Sequence, residues 1–201
     1  MSNYTKLEEH LKWRQQIVWA ITPPLQIVKK KNTTIEAQRL QAKNKEMIWG
    51  NKMIGQEKNT QWTTLLGENL VHHVLYILGE NPEKVNKKQG FQPDRSTDSR
   101  IIEVKTRNWT TGGTAGEKVY GTWIKYQDIP ELYGKPLHIV CVAFQEHELE
   151  FGKLKFFGGN VSSKTKAILN ISKTWNIEYV KFSDLISPLL NYGLSPLNAQ
   201  L

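Results

Sequence analysis

Two acids and a lysine lie within residues 91–109, FQPDRSTDSRIIEVKTRNW, in a setting suited to chemistry. Ser96, Thr97, Asp98 and Ser99 are turn formers, and the run Ile101-Ile102-Glu103-Val104 is β-branched apart from Glu103. A hairpin turning at Asp98 and Ser99 pairs Thr97 with Arg100 and Arg95 with Ile102, and sets Asp94 opposite Glu103. Opposed strand residues have Cβ atoms about 4.5–5.5 Å apart, where like charges destabilise the pair unless something neutralises them. A divalent cation would do so. Side chains alternate faces with a period of two, so Lys105 shares the face of Glu103 while Ile102 and Val104 point the other way. Carboxylate oxygens suit Mg²⁺, which fills the rest of its shell with waters and a substrate phosphate. Such an ion polarises phosphoryl oxygens and supplies an activated water. The ammonium of Lys105 could orient that water or offset charge growing on phosphorus. The expected chemistry is metal-assisted hydrolysis of a phosphodiester. The plain alternative is a surface hairpin laced by an Asp/Glu/Lys salt-bridge ladder.

Other elements must hold that hairpin in place. Residues 65–78 read as a helix capped by Thr63 or Thr64, with Leu66, Leu70, Val71, Val74, Leu75 and Leu78 on its buried face. Glu68 falls at the rim of that face and can reach a neighbouring site. Its ordinary alternative is a first-turn glutamate favoured by the helix dipole, or a partner of His72 one turn on. His72 and His73 are adjacent, diverge around the helix and read as structural. Upstream, a helix from Asn3 or Thr5 to about Ala20 carries a stripe of Leu7, Leu11, Arg14, Val18 and Ile21 and is ended by Pro23-Pro24. After a basic knot at Lys29-Lys30-Lys31, a second helix capped by Thr33 or Thr34 runs to Gly50. Arg39, Lys43 and Lys45 make it strongly polar, which fits a solvated face, a phosphate contact or a dimer arm.

Residues 79–90 form a loop into the hairpin. Beyond Lys105 the strand continues through Trp109 into the glycine-rich stretch 110–118, which lacks the Gly-Lys-Ser/Thr ending of a phosphate loop. Hydroxyls and backbone amides beside the reacting centre suit contacts with DNA phosphates and base edges. Arg107, Asn108, Thr110, Thr111, Gly112, Gly113, Lys118, Tyr120 and Lys125 are the candidates, an ordinary surface loop being the alternative. A short helix over 126–132 closes near Gly134, and 137–145 reads as a buried central strand. Residues 149–157 read as a second hairpin around Gly152-Lys153. A helix from Ser162 or Ser163 to Trp175, a strand over 177–182 and a helix over 184–190 follow. Helices, then strands, then helices fit an α/β sandwich around a mixed sheet.

Pro93-Asp94, eight intervening residues and Glu103-Val104-Lys105 resemble the PD-(D/E)XK nuclease superfamily, in which restriction endonucleases are prominent. The resemblance implies a restriction-endonuclease-like α/β/α sandwich with a central mixed sheet. It implies that Asp94, Glu103 and the carbonyl of Val104 hold Mg²⁺, that Lys105 assists the attacking water, and that Glu68 adds an acid from the preceding helix. The function it implies is that of a Mg²⁺-dependent, site-specific endonuclease of double-stranded DNA, most like a type II restriction enzyme. One such centre per chain cuts both strands most simply as a twofold homodimer. A junction resolvase or repair nicking enzyme of the same superfamily is the nearer alternative, and a non-catalytic DNA-binding protein the farther.

Composition bounds these readings. The 201 residues suit one domain, divided into a helical region (1–60), a catalytic core (61–145) and a C-terminal hairpin, helix and strand (146–201). Lys and Arg number 27 against 19 Asp and Glu, a formal charge of +8 that favours a polyanionic partner. The single cysteine, Cys141, sits within Ile139-Val140-Cys141-Val142-Ala143 as a buried strand thiol, which excludes an internal disulfide and a cysteine zinc cluster. No signal peptide is visible and no apolar run approaches the roughly 20 residues of a membrane span. A soluble cytoplasmic protein without membrane contact is the expectation.

Overall fold

The protein is described by a computed structural model covering residues 3–24, 34–110 and 118–191. Its elements run α1 (Asn3–Ile21), α2 (Ile35–Met53), α3 (Trp62–Ile77), β1 (Arg95–Ser96), β2 (Ile101–Arg107), α4 (Thr122–Lys125), α5 (Ile129–Tyr133), β3 (Leu137–Ala143), α6 (Phe144–Phe151), α7 (Ser163–Thr174), β4 (Ile177–Lys181) and α8 (Phe182–Asn191). The strands form one sheet in the order β1-β2-β3-β4, with β1 antiparallel to β2 and the other pairs parallel.

Alternation along the strands divides the core between two faces. On one face Ile102, Val104, Val140 and Val142 meet Ile17 of α1, Leu70, Val71 and Val74 of α3, and Phe182 and Ile186 of α8. On the other, Ile101, Ile139, Cys141, Ile177 and Tyr179 meet Ile129 of α5, Leu149 of α6 and Leu169 of α7. The result is a mixed α/β architecture with helices on both faces of a four-stranded mixed sheet, in line with the sandwich expected from the order of elements. Cys141 is a buried, free thiol, as its apolar run suggested, and burial pushes its pKa up. Among the described residues no helix is long and apolar enough to cross a membrane.

The N-terminal helices dock through tryptophans. Met53, Trp62 and Leu66 form a third, smaller core with Trp19 and Trp49. Gly50 lets α2 approach, because a Cβ there would stand 2.0 Å from the Trp62 ring. Glu46 of α2 ties this unit to the end of β2. Its Oε1 accepts from the Trp19 indole (2.9 Å) and the Trp109 backbone N–H (2.9 Å), and its Oε2 from the Thr110 N–H (3.1 Å) and hydroxyl. Hydrogen bonds to a charged group contribute about 1.5–3 kcal/mol each, less where solvent competes. Glu46→Ala is therefore expected to cost about 3 kcal/mol in urea denaturation, with Glu46→Gln recovering part of the loss. A cost near zero would show that Glu46 holds nothing.

Four sequence expectations are corrected. Among the described side chains of α1 the buried positions are Ile17 and Ala20, with Trp13, Trp19 and the expected Ile21 packed beside them, while Leu11 and Val18 are 39% and 40% exposed. The bulky indole at Trp13 places the docking face one position away from the aliphatic stripe. The strand expected over 137–145 ends at Ala143, which adopts φ 57° and turns the chain directly into α6. That helix replaces the first arm of the expected second hairpin. Residues 156 and 157 then fold back on its end, both donating backbone N–H groups to the Leu149 carbonyl (2.8 and 3.0 Å). The helix expected over 126–132 is the shorter α5, which starts at Ile129 and is ended by Gly134 in the left-handed region (φ 66°), and a separate helix, α4, precedes it.

A candidate active site at the β1–β2 hairpin

The hairpin has the register its residues predict. Arg95 pairs with Ile102 and Ser96 with Ile101, and the Thr97 N–H donates to the Arg100 carbonyl (2.9 Å) across the turn. The same register carried one step further sets Asp94 against Glu103. Asp94 does not continue the strand. Its Oδ2 accepts a hydrogen bond from the Val104 N–H (2.7 Å), so a carboxylate occupies the edge where a further strand residue would pair. A strand residue presents its N–H and C=O on the same side. The Val104 carbonyl therefore also looks toward the Asp94 edge.

Glu103 lies across from it and is buried, 4% exposed. Its Oε1 accepts from the Lys105 ammonium, while its Oε2 is buried with no hydrogen-bond partner. A buried carboxylate oxygen without a partner costs on the order of 1–3 kcal/mol, and more when charged. The cost is visible in its neighbour: burial first, and then the Glu103 charge, push the Asp94 carboxyl up to about 7, against the opposing pull of the Val104 N–H. Glu68 adds to this rise and Lys105 opposes it.

Helix α3 brings Glu68 into this group. α3 begins at Trp62, earlier than Thr63 or Thr64 would cap it, so Glu68 lies in the second turn and not the first. The dipole effect fades beyond the first turn, which removes the simplest structural reason for a glutamate there. Gly67 beside it lets α3 lie against β2, because a Cβ at that position would stand 1.7 Å from Thr106 Oγ1. Burial raises the Glu68 pKa; the charge of Arg95 lowers it, that of Glu103 raises it, and those of Lys105 and Lys84 lower it. Arg95 also acts on His72, whose pKa burial and that guanidinium both depress. Asp94, Glu103, Lys105 and Glu68 thus converge, on an edge of the sheet held by Val104.

Tyr126 is a member of the group that the sequence did not single out. It is buried, its hydroxyl faces Glu103, and its ring lies 5.8 Å from the Lys105 ammonium. Lys125 donates to its hydroxyl (3.3 Å) and sits 4.8 Å from its ring centroid. Burial and the Glu103 charge both raise the phenol's pKa, so it stays protonated and able to donate. If this group catalyses a reaction, loss of that hydroxyl in Tyr126→Phe is expected to slow it by about tenfold, the effect of about 1.4 kcal/mol, with thermal stability little changed. A rate unaltered by the substitution would place Tyr126 outside the chemistry. No spacing rule links an aromatic at 126 to a strand at 103; only its neighbour Lys125 marked the region.

The expected DNA contacts divide. Lys118 and Lys125 are exposed, and Tyr120 is half-buried with its ring 5.3 Å from Phe156. Arg107 is buried, paired with Glu148 (2.5 Å) and stacked 4.7 Å from the Phe144 ring. Asn108 is buried and Thr110 is bound by Glu46. These three turn inward, because the end of β2 is where α2 and α6 are fastened to the sheet. Thr111, Gly112 and Gly113 lie outside the described residues.

Whether a metal suits this group is a question of its donors. Among the described residues no group of three or more His, Cys, Asp or Glu side chains is arranged as a metal cluster. Mg²⁺ needs only one or two protein carboxylates, and completes its shell with water and substrate. Asp94 and the unpartnered Oε2 of Glu103 supply that pair, with the Val104 carbonyl on the same edge. All are hard oxygen donors in a place where a positive charge would relieve repulsion. The residues fit. No protein-family model, curated protein or solved structure matches this chain.

Proposed function

We propose that this chain is a Mg²⁺-dependent endonuclease that hydrolyses phosphodiester bonds in double-stranded DNA at specific sites, most like a type II restriction enzyme with a restriction-endonuclease-like fold. The observation that carries the reading is the hairpin, which brings Asp94 onto the Val104 N–H next to Glu103 and sets Lys105 beside Glu103. In this reading Asp94, Glu103 and the Val104 carbonyl hold the ion. Bound Mg²⁺ would supply a polarised phosphoryl oxygen and a water of lowered pKa. Lys105, 31% exposed at its side chain, reaches from the buried Glu103 toward solvent and so toward an incoming phosphate. Its three donors can orient the attacking water and offset charge on the phosphoryl oxygens. Glu68 stands ready to accept a proton from that water, burial having raised its carboxyl above the usual carboxylate range. Tyr126 fixes Glu103 and Lys105 relative to each other.

The +8 charge supports a polyanionic substrate, and cutting both strands of a palindrome calls for a twofold homodimer. The inward turn of Arg107 and Asn108 leaves fewer residues for reading bases, which favours the structure-specific nuclease as the second reading. Incubating the purified protein with long, fully sequenced, unmethylated DNA in Mg²⁺ or in EDTA separates the readings. Discrete fragments that need Mg²⁺ support the site-specific nuclease. Cleavage confined to branched or nicked DNA supports the second reading, and DNA left intact on every substrate contradicts both.

A further inference from the structure

Helix α6 carries two faces of different character. Leu149 turns into the core, whereas Phe144, His147 and Phe151, at i, i+3 and i+7, form an aromatic stripe that belongs to none of the three apolar cores. The rings are in sequence: Phe144 to His147 5.8 Å and stacked, His147 to Phe151 4.8 Å. Trp109 extends the row, 5.7 Å from Phe144 and 5.6 Å from His147. Phe151, at the free end, is 64% exposed. Phe144 and His147 are half-buried, Phe144 beneath the Arg107 guanidinium and both against Trp109, so the row opens to solvent at Phe151.

The charges around it suit an anion. All three acids of α6 are satisfied from within: Glu146 by the Ser183 N–H (3.0 Å) and hydroxyl, Glu148 by Arg107, and Glu150 by Lys181 (3.1 Å). Beyond the stripe come Lys153 and Lys155, and the Tyr120 hydroxyl, donating to the Leu154 carbonyl (3.5 Å), ties the segment of Lys118 to the same place. Trp109 lies two residues past the end of β2, the strand of Glu103 and Lys105. At about 3.3 Å per residue the four residues from Lys105 put Trp109, the near end of the row, at most about 13 Å away, within reach of the same nucleic-acid strand.

We propose that Phe144, His147 and Phe151 form a stacking platform for unpaired nucleotides of the DNA strand engaged at the carboxylates. Bases in an intact duplex keep their faces covered by their neighbours; unpaired bases expose them, and aromatic side chains take them in regardless of sequence. The platform rests on the nuclease reading for the identity of its polyanion. It adds, on the side of the structure-specific reading, that the enzyme holds DNA with unpaired bases, at gaps or flaps, more tightly than intact duplex.

The test is fluorescence anisotropy of the full chain with a labelled duplex and with the same duplex carrying a short single-stranded gap, Ca²⁺ replacing Mg²⁺. The gapped DNA is expected to bind more tightly. Phe151→Ala and His147→Ala should each weaken its binding by about tenfold and scarcely alter binding of the intact duplex. Phe151→Tyr should keep the affinity and Phe151→Leu should lose it, which separates a ring from mere bulk. Wild-type affinity in both alanine variants, or equal losses on both DNAs, would overturn the platform. So would a change in self-association of the protein alone with DNA affinities untouched, which would assign the stripe to a protein contact. Parallel digestion in Mg²⁺ keeps the two readings apart: stripe-dependent binding without cleavage sinks the nuclease and leaves the platform, and cleavage without stripe dependence does the reverse.

Discussion

Asp94→Asn is expected to abolish cleavage and, in the same protein, to raise the stability of the metal-free fold at pH 8. The first effect follows from loss of a charged metal ligand, and should reach about a thousandfold or more, the order seen when one preorganised stabilising group is removed. The second follows from burial beside Glu103, which holds the Asp94 carboxyl at about 7 in place of the usual 3.8. Between about pH 4 and 7 the folded protein keeps this proton while the unfolded chain has released it. The folded state then binds more protons, and stability falls as pH rises through that window. Above pH 7 the deficit is constant at about 4 kcal/mol for a fully realised shift. Asparagine carries no charge and can still accept from the Val104 N–H. Urea denaturation should therefore show a gain of about 2 kcal/mol at pH 8 and little difference at pH 4. Mg²⁺ should raise the wild-type Tm at pH 8 and leave that of Asp94→Asn unchanged. A variant with the same pH slope as the wild type would mean that Asp94 is not a repelled, buried carboxyl.

Gly67→Ala is the second large effect. The added methyl would stand 1.7 Å from Thr106 Oγ1 and 2.7 Å from its Cβ, so α3 must lift from β2. Overpacking of this kind costs about 1–3 kcal/mol, against a helix-propensity gain of about 1 kcal/mol. We expect a net loss of up to about 2 kcal/mol, together with slower cleavage as Glu68 moves away from Asp94 and Glu103. Thr106→Ala alone should be neutral or stabilising, since Thr106 Oγ1 is buried without a hydrogen-bond partner. Combined with Gly67→Ala it should restore part of the loss, because the nearest clashing atom is gone. A double-mutant cycle gives the coupling. Strictly additive effects would mean that helix and strand do not meet at these two residues.

Local rules carried the hairpin and failed where long-range contacts decide. Turn residues at 96–99 and β-branched residues at 101–104 fix a register through two-residue alternation, so the pairing of Arg95 with Ile102, which leads Asp94 to the edge beside Glu103, was legible. The caps at Thr34 and Ser162 were legible for the same reason, each bonding its own helix three residues on. The role of Glu46 was not, because its partners stand far away in sequence at Trp19, Trp109 and Thr110. It read as part of a solvated helix. Arg107 failed in the opposite sense: a basic residue after the motif suggested a DNA contact, and only the strand-to-helix turn at Ala143, which brings Glu148 over it, reveals the buried pair. Tyr126 entered the site through the crossover between β2 and β3, which no spacing could foretell.

The central claim is that Lys105 serves the chemistry and not the grip on DNA. The direct measurement compares Lys105→Ala with the wild type on one DNA substrate, scoring cleavage in Mg²⁺ and binding in Ca²⁺. Cleavage lost with affinity within a fewfold of wild type is the predicted result. Binding that collapses along with cleavage would make Lys105 a backbone contact, and cleavage that persists would remove the hairpin from the reaction altogether.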